Sequence, residues 1–165
     1  MAHTFRNRTR LPQPDGSAQL ARLRQLYAEV DALLSHISCE SSTDCCHFAR
    51  TGREPYPTAV ELAELDLALK RAPAPRSPGD LKRRVALADE RRCPLLGQDG
   101  RCRAYASRPF GCRTFFCDRA EGGIFPRQEV QRIGRQIADL SARFAPLDPG
   151  PRPLSRYLLQ ERGMK

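Results

Sequence analysis

Seven cysteines fall in two short stretches of this 165-residue chain. The first stretch reads Cys39-Glu-Ser-Ser-Thr-Asp-Cys45-Cys46-His47, and the second carries Cys93, Cys102, Cys112 and Cys117. Thiolates are soft ligands that suit zinc and iron–sulfur clusters, as a rule four to a site. All seven are therefore candidate metal ligands. The stretch 91–119 is rich in glycine, proline and arginine and has little apolar content with which to order itself. Metal binding supplies folding free energy to such a loop. Arg91, Arg92, Arg101, Arg103, Arg108, Arg113 and Arg119 flank the candidate ligands, against Asp99 and Asp118 alone. Positive neighbours lower a thiol's pKa and favour the thiolate. The competing readings are seven inert buried thiols, since free cysteine packs as a small hydrophobe, and an arginine surface turned to solvent or nucleic acid.

The spacing excludes simpler sites. There is no pair of C-x2-C knuckles, as a zinc ribbon or finger would have, and no four-cysteine run of the bacterial ferredoxin type. Adjacent Cys45 and Cys46 point in different directions if the chain there is extended, so one of them joins a given metal unless the site holds two. His36 and His47 border the first stretch and could replace a thiolate. Tyr105, Arg108 and Arg113 lie between candidate ligands; packing for the tyrosine and contacts to sulfur for the arginines are their favoured roles over action on a substrate.

Helices must position these loops. Leu20, Leu23, Tyr27, Val30, Leu34 and Ile37 are spaced as one face of a helix over about 18–38. Thr58 followed by Glu61 has capping-box form, and Val60, Leu62, Leu65 and Leu69 give the helix after it an apolar face. Ala72-Pro-Ala-Pro-Arg-Ser-Pro-Gly79 cannot continue that helix. A third helix is expected over about 80–90, with Leu81, Val85 and Ala88. The stretch Cys93–Cys102 predicts two short strands around an Asp99-Gly100 turn, a hairpin near 93–105. A last long helix is expected over 126–144, from Val130, Ile133, Ile137, Leu140 and Phe144. The fold class is thus mainly α, a small α+β domain whose helices carry two cysteine-rich loops. A basic arm over 1–17, a single domain over 18–144 and a proline-rich tail over 145–165, with a short helix near 154–162, complete the organisation.

At the cysteine residues the chain resembles the YkgJ-like cysteine-cluster family, named for a CxxCxxCC motif and described as a zinc- or iron-chelating domain. The second half of the family pattern reads here Cys93-Pro94-Leu95-Leu96, Gly100-Arg101-Cys102, Tyr105, and Arg108-Pro109-Phe110-Gly111-Cys112-Arg113-Thr114-Phe115-Phe116-Cys117. In the first half Cys39, Cys45 and Cys46 fall on the first, third and fourth motif cysteines, and Ser42 stands at the second. The resemblance covers roughly 39–120. It implies a metal site drawn from Cys39, Cys45, Cys46, Cys93, Cys102, Cys112 and Cys117. Some relatives join this domain to methylation of protein lysines, but Gly122-Gly123 is too little to form a methyl-donor loop.

Bulk properties bound the rest. Hydrophobic residues make up 40% and aromatic residues 7%, with 14 prolines and no tryptophan, so a modest core with irregular segments is expected. No apolar run approaches the roughly 20 residues that span a bilayer, and no apolar stretch follows the basic start, so a cytoplasmic location without a membrane partner is expected. In that reducing compartment clustered cysteines indicate metal or redox chemistry rather than disulfides. The net charge of +9, from 28 basic and 19 acidic residues, permits contact with nucleic acid without requiring it, and no recognition motif is visible. The leading function is chelation of zinc or iron, including iron as an iron–sulfur cluster. The alternatives are an iron–sulfur redox or group-transfer enzyme and a zinc-stabilised nucleic-acid-binding module. His3, His36 and His47 all lie near the N-terminus and define no serine–histidine–acid arrangement.

Overall fold

Three long amphipathic segments set the architecture. A computed structural model of the chain describes residues 16–38, 43–71, 90–97, 99–115 and 122–161, with the isolated positions 79, 82 and 86. Helix α1 spans Gly16–Leu33. A 3-10 turn over Asp44–Cys46 leads into the single-turn helix α2, Phe48–Thr51, which Gly52 ends in the left-handed region at φ 64°. Helix α3 spans Ala59–Arg71. After a second 3-10 turn, Tyr105–Ser107, come the short helix α4, Phe110–Arg113, and the long helix α5, Arg127–Phe144. A final turn, α6 over Leu154–Arg156, widens into a π turn over Tyr157–Glu161.

The protein is mainly helical. Where both partners are described, the extended pairings are two isolated antiparallel bridges, His47 with Arg92 and Leu96 with Cys102. The expected hairpin near 93–105 is thus a single bridge rather than a pair of strands. The chain reverses at Asp99-Gly100, with Gly100 at φ 74° and Asp99 Oδ1 accepting the Arg101 N–H at 3.0 Å. Gly97 and Arg103 each donate one bond across the reversal, to Arg101 and Leu95, and the chain turns away before a ladder can extend. The helix expected over 80–90 lies largely outside the described residues; Lys82 and Ala86 are helical, and the Glu90 N–H donates to the Ala86 carbonyl at 3.0 Å.

Helices α1, α3 and α5 pack pairwise around one core. Leu23, Leu26, Tyr27, Val30 and Leu34 meet Ala59, Val60, Val130, Ile133, Ile137, Leu140 and Phe144 there. Burial of such apolar side chains is the main stabilising term, worth roughly 25 cal/mol per Å2 removed from water. Helix α1 ends earlier than its apolar stripe, because Ser35 and Ile37 bond back three residues and tighten the last turn. Thr58 and Glu61 do cap α3: the Glu61 carboxylate accepts the Thr58 N–H at 2.8 Å and its hydroxyl at 2.9 Å.

A second core lies beneath the cysteine segments. It joins Phe48, Leu62, Leu65, Cys93, Leu95 and Ala104 to Leu154, Tyr157 and Leu158, with Cys46 and Cys102 packed at its edge. The proline-rich segment after 145 therefore docks on the body of the protein. The Pro149 carbonyl accepts the Ala59 N–H, Arg152 and Leu154 donate to the carbonyls of Pro57 and Pro55, and the Tyr157 hydroxyl donates to Asp66 at 2.7 Å. Ser141 helps fix this strap, accepting from the Val60 N–H and donating to the Pro149 carbonyl at 2.9 Å. No helix among the described residues is long and apolar enough to cross a membrane.

Candidate metal centre

Backbone pairing brings the two cysteine segments together. The Cys93 N–H donates to the Cys46 carbonyl at 2.8 Å, and the Ala49 N–H donates to the Arg91 carbonyl at 3.3 Å on the other side of the His47–Arg92 bridge. Cys93 thus lies beside Cys46. The reversal at Asp99-Gly100 then returns the chain so that Cys102 borders the same core. Cys112 arrives from the other direction, on α4, whose first N–H (Phe110) is held by Glu61 Oε1 at 2.7 Å.

The Asp44–Cys46 turn corrects one expectation. The chain at Cys45-Cys46 is not extended; it is wound into a 3-10 turn, closed by the Cys46 N–H to Thr43 and the His47 N–H to Asp44 at 2.9 Å each. Winding rotates successive side chains by about 120° instead of the near reversal along a strand. The two sulfurs consequently stand 3.9 Å apart, in contact with each other. An ion pair between Arg50 and Asp44 at 2.8 Å braces the turn from outside.

The thiols of Cys45, Cys46, Cys102 and Cys112 have raised pKa values, and the causes map the neighbourhood. The hydrogen bond with Cys46, then burial, pushes Cys45 far up, against a lowering by Arg108. Cys46 is lowered by its bond with Cys45, but the Cys93 thiol, burial and the charges of Cys93 and Cys102 outweigh this and leave it pushed up to about 12. Burial raises Cys102, and the Ala104 backbone and Arg108 partly offset it. Burial likewise pushes Cys112 up, reinforced by Cys102, Cys46, Cys45 and Glu61. Cys45, Cys46, Cys93, Cys102 and Cys112 thus share one electrostatic neighbourhood, and all five are free of disulfides. As the side chains stand, no three Cys, His, Asp or Glu among the described residues are arranged to hold a metal ion. Cys39 and Cys117, and Ser42 at the second motif position, lie outside the described residues.

Thiols are soft donors, and their crowding carries an electrostatic cost. Thiols crowded in this way resist ionisation one after another, because each new thiolate repels the next in a partly dry site. A bound cation reverses that balance. Arg108 Nε is buried and has no hydrogen-bond partner among the described residues, yet its guanidinium lies close enough to Cys45 and Cys102 to lower both.

The polar residues around the thiols take roles the sequence did not define. Arg113 does not turn to sulfur. It is buried, donates to the carbonyls of Arg108 (2.9 Å) and Ala106, pairs with Asp31, and lies 4.0 Å over the Tyr27 ring. Tyr27 in turn donates to Glu61 at 3.1 Å, and burial holds its hydroxyl well above the usual tyrosine range. Tyr105 is 61% exposed rather than packed inside, with Arg108 4.3 Å from its ring. His47 sits among Arg92, Arg50, Asp44 and Glu90, and burial together with the two arginines lowers its pKa. His36 is exposed at the end of α1. The Glu61–Tyr27–Arg113 chain, buried and ending on the exposed Asp31, was not legible as a unit; the capping-box spacing of Glu61 was its one visible signal.

Comparison with protein-family models, with curated proteins and with solved structures found no match for this chain.

Proposed function

We propose that this protein binds zinc or iron through thiolates gathered from two cysteine segments, as the resemblance to the YkgJ-like cysteine-cluster family implies. The observation that carries the reading is the shared neighbourhood of Cys45 and Cys46 with Cys93, Cys102 and Cys112, from segments that are distant in sequence. A tetrahedron with metal–sulfur bonds of about 2.3 Å has sulfur–sulfur edges of about 3.8 Å. The 3.9 Å between the Cys45 and Cys46 sulfurs is close to that edge. Ligands would come from these five residues together with Cys39 and Cys117. Bound zinc would supply a structural cross-link between the segments, and an iron–sulfur cluster would add one-electron chemistry. The chain's own part is to hold the sulfurs on a 3-10 turn, a bridge and a short helix, and to place the Arg108 guanidinium beside the accumulated negative charge. A reducing cytoplasm goes with this reading, because the ligands must stay reduced.

The test is metal analysis with visible spectroscopy on protein purified without oxygen. About one metal or cluster per chain is expected, colourless for zinc and brown for iron–sulfur. Protein that is folded, reduced and free of both metals after growth in metal-replete medium would end the proposal.

A further inference from the structure

A cleft of about 490 Å3 opens beside the thiol cluster, between the chain around 52–56 and the segment 111–115. Cys45 and Cys112 form part of its wall, together with Arg53, Arg91, Tyr56 and Phe115. We infer that this cleft binds a small organic anion: a carboxylate or phosphate group on an apolar body. The inference needs only the cleft and goes beyond metal binding.

The first ground is positive charge without a partner. Arg53 and Arg91 are exposed, and neither takes part in the ion pairs formed among the described residues. The wall holds one carboxylate, Glu54, whose Oε1 accepts the Ser155 N–H at 2.8 Å and the Ser155 hydroxyl. Two guanidiniums against one carboxylate leave the cleft with an excess of positive charge, and the planar guanidinium fork matches carboxylate and phosphate oxygens alike.

The second ground is preorganisation. The Arg53 guanidinium lies 5.6 Å from the centre of the Phe115 ring, a cation–π contact that limits its freedom before any ligand arrives. Arg91 is the only non-glycine residue with positive φ among the described residues, at 52°. That conformation is costly for an L-residue with a long side chain and persists where the surroundings impose it. Here the imposing contacts are the Ala49 N–H to the Arg91 carbonyl and the adjoining His47–Arg92 bridge. The third ground is shape. The Phe115 ring and the 58% exposed Tyr56 ring add apolar wall that an inorganic ion would leave unused, and the volume suits a small molecule.

The experiment is calorimetric titration of the full chain, metal-free and metal-loaded, with benzoate and with phenyl phosphate. Saturable one-site binding of at least one probe is expected. R53Q and R91Q should each raise Kd about tenfold, for one charge-assisted pair lost. R135Q, an exposed change on α5 outside the cleft, should leave Kd unchanged. Absence of saturable binding, equal binding of neutral benzyl alcohol, or equal weakening by R135Q would each overturn the inference; the last would mean attraction by net charge alone. Anion binding by a protein that never takes up metal would refute the metal proposal only. Metal uptake without anion binding would refute this inference only.

Discussion

Glu61→Gln is the substitution that most directly tests how the cysteine segment is held. The carboxylate is 3% exposed and accepts four bonds: Tyr27 and the Phe110 N–H on one oxygen, the Thr58 N–H and hydroxyl on the other. An amide of the same shape has one accepting oxygen and one donating nitrogen. If the nitrogen turns to Thr58, that hydroxyl can rotate to accept, but the Thr58 N–H is left facing a donor. If it turns to Tyr27, the phenol can rotate, and the Phe110 N–H is left facing one instead. Either way a backbone donor loses its acceptor, at roughly 1–3 kcal/mol, and the surviving bonds lose their charge assistance, at roughly 1 kcal/mol more. We expect a loss of about 3 kcal/mol. At about 2–4 °C per kcal/mol for a chain of this size, Tm should fall by about 6–12 °C. Because the Phe110 N–H opens α4, the change should also loosen Cys112. The assay is thermal unfolding with and without bound metal, with alkylation of Cys112 as the local readout. A Tm within 2 °C of the wild type and unchanged Cys112 protection would show that the four bonds do not hold this segment.

Cys102→Ser and Cys112→Ser should each reduce metal content, and a chelator should lower Tm in the wild type but not in these variants; metal content unchanged in both would exclude them from the ligand set. Leu158→Ala removes a fully buried side chain from the second core and should cost about 2–5 kcal/mol, read by denaturant unfolding. A loss below 1 kcal/mol would mean that the docked strap adds little. Gly122→Ala should destabilise, since Gly122 sits at φ 145° and a Cβ there would lie 2.6 Å from the His36 carbonyl oxygen. An unchanged melting temperature would count against that close approach.

The parts of the fold legible in the sequence are those governed by local periodicity. All five apolar residues expected on the last long helix, Val130 to Phe144, are buried, as are Leu23, Tyr27, Val30 and Leu34 of the first. Such stripes are visible because one turn of helix repeats faster than the sequence drifts. The helical turns over Leu154–Glu161 meet the short helix expected near 154–162, but the docking of segment 149–158 was not visible in this way. Its prolines report irregular backbone correctly, but its three buried anchors, Leu154, Tyr157 and Leu158, form too short a run to show a period. In the candidate site, cysteine type and clustering pointed to a common neighbourhood for the described thiols. The geometry of Cys45 and Cys46 is not legible in the sequence, since a spacing of one residue says nothing until the local winding is known. Arg113, expected to contact sulfur, has other partners for a related reason: nothing in a run of arginines marks the one whose partners, Asp31 and Tyr27, arrive from a helix far earlier in the chain.

The strap has a consequence for how the protein is made. Residues 149–158 bond to Pro55, Pro57 and Ala59 and complete the core that borders Cys46, Cys93 and Cys102. A pairing between segments so distant along the chain closes slowly and cannot begin until the later one has left the ribosome. Throughout synthesis of everything between, the sulfurs emerge first and remain uncovered. The nascent chain therefore has an interval in which the face of Cys46, Cys93 and Cys102 that borders the second core is open to solvent.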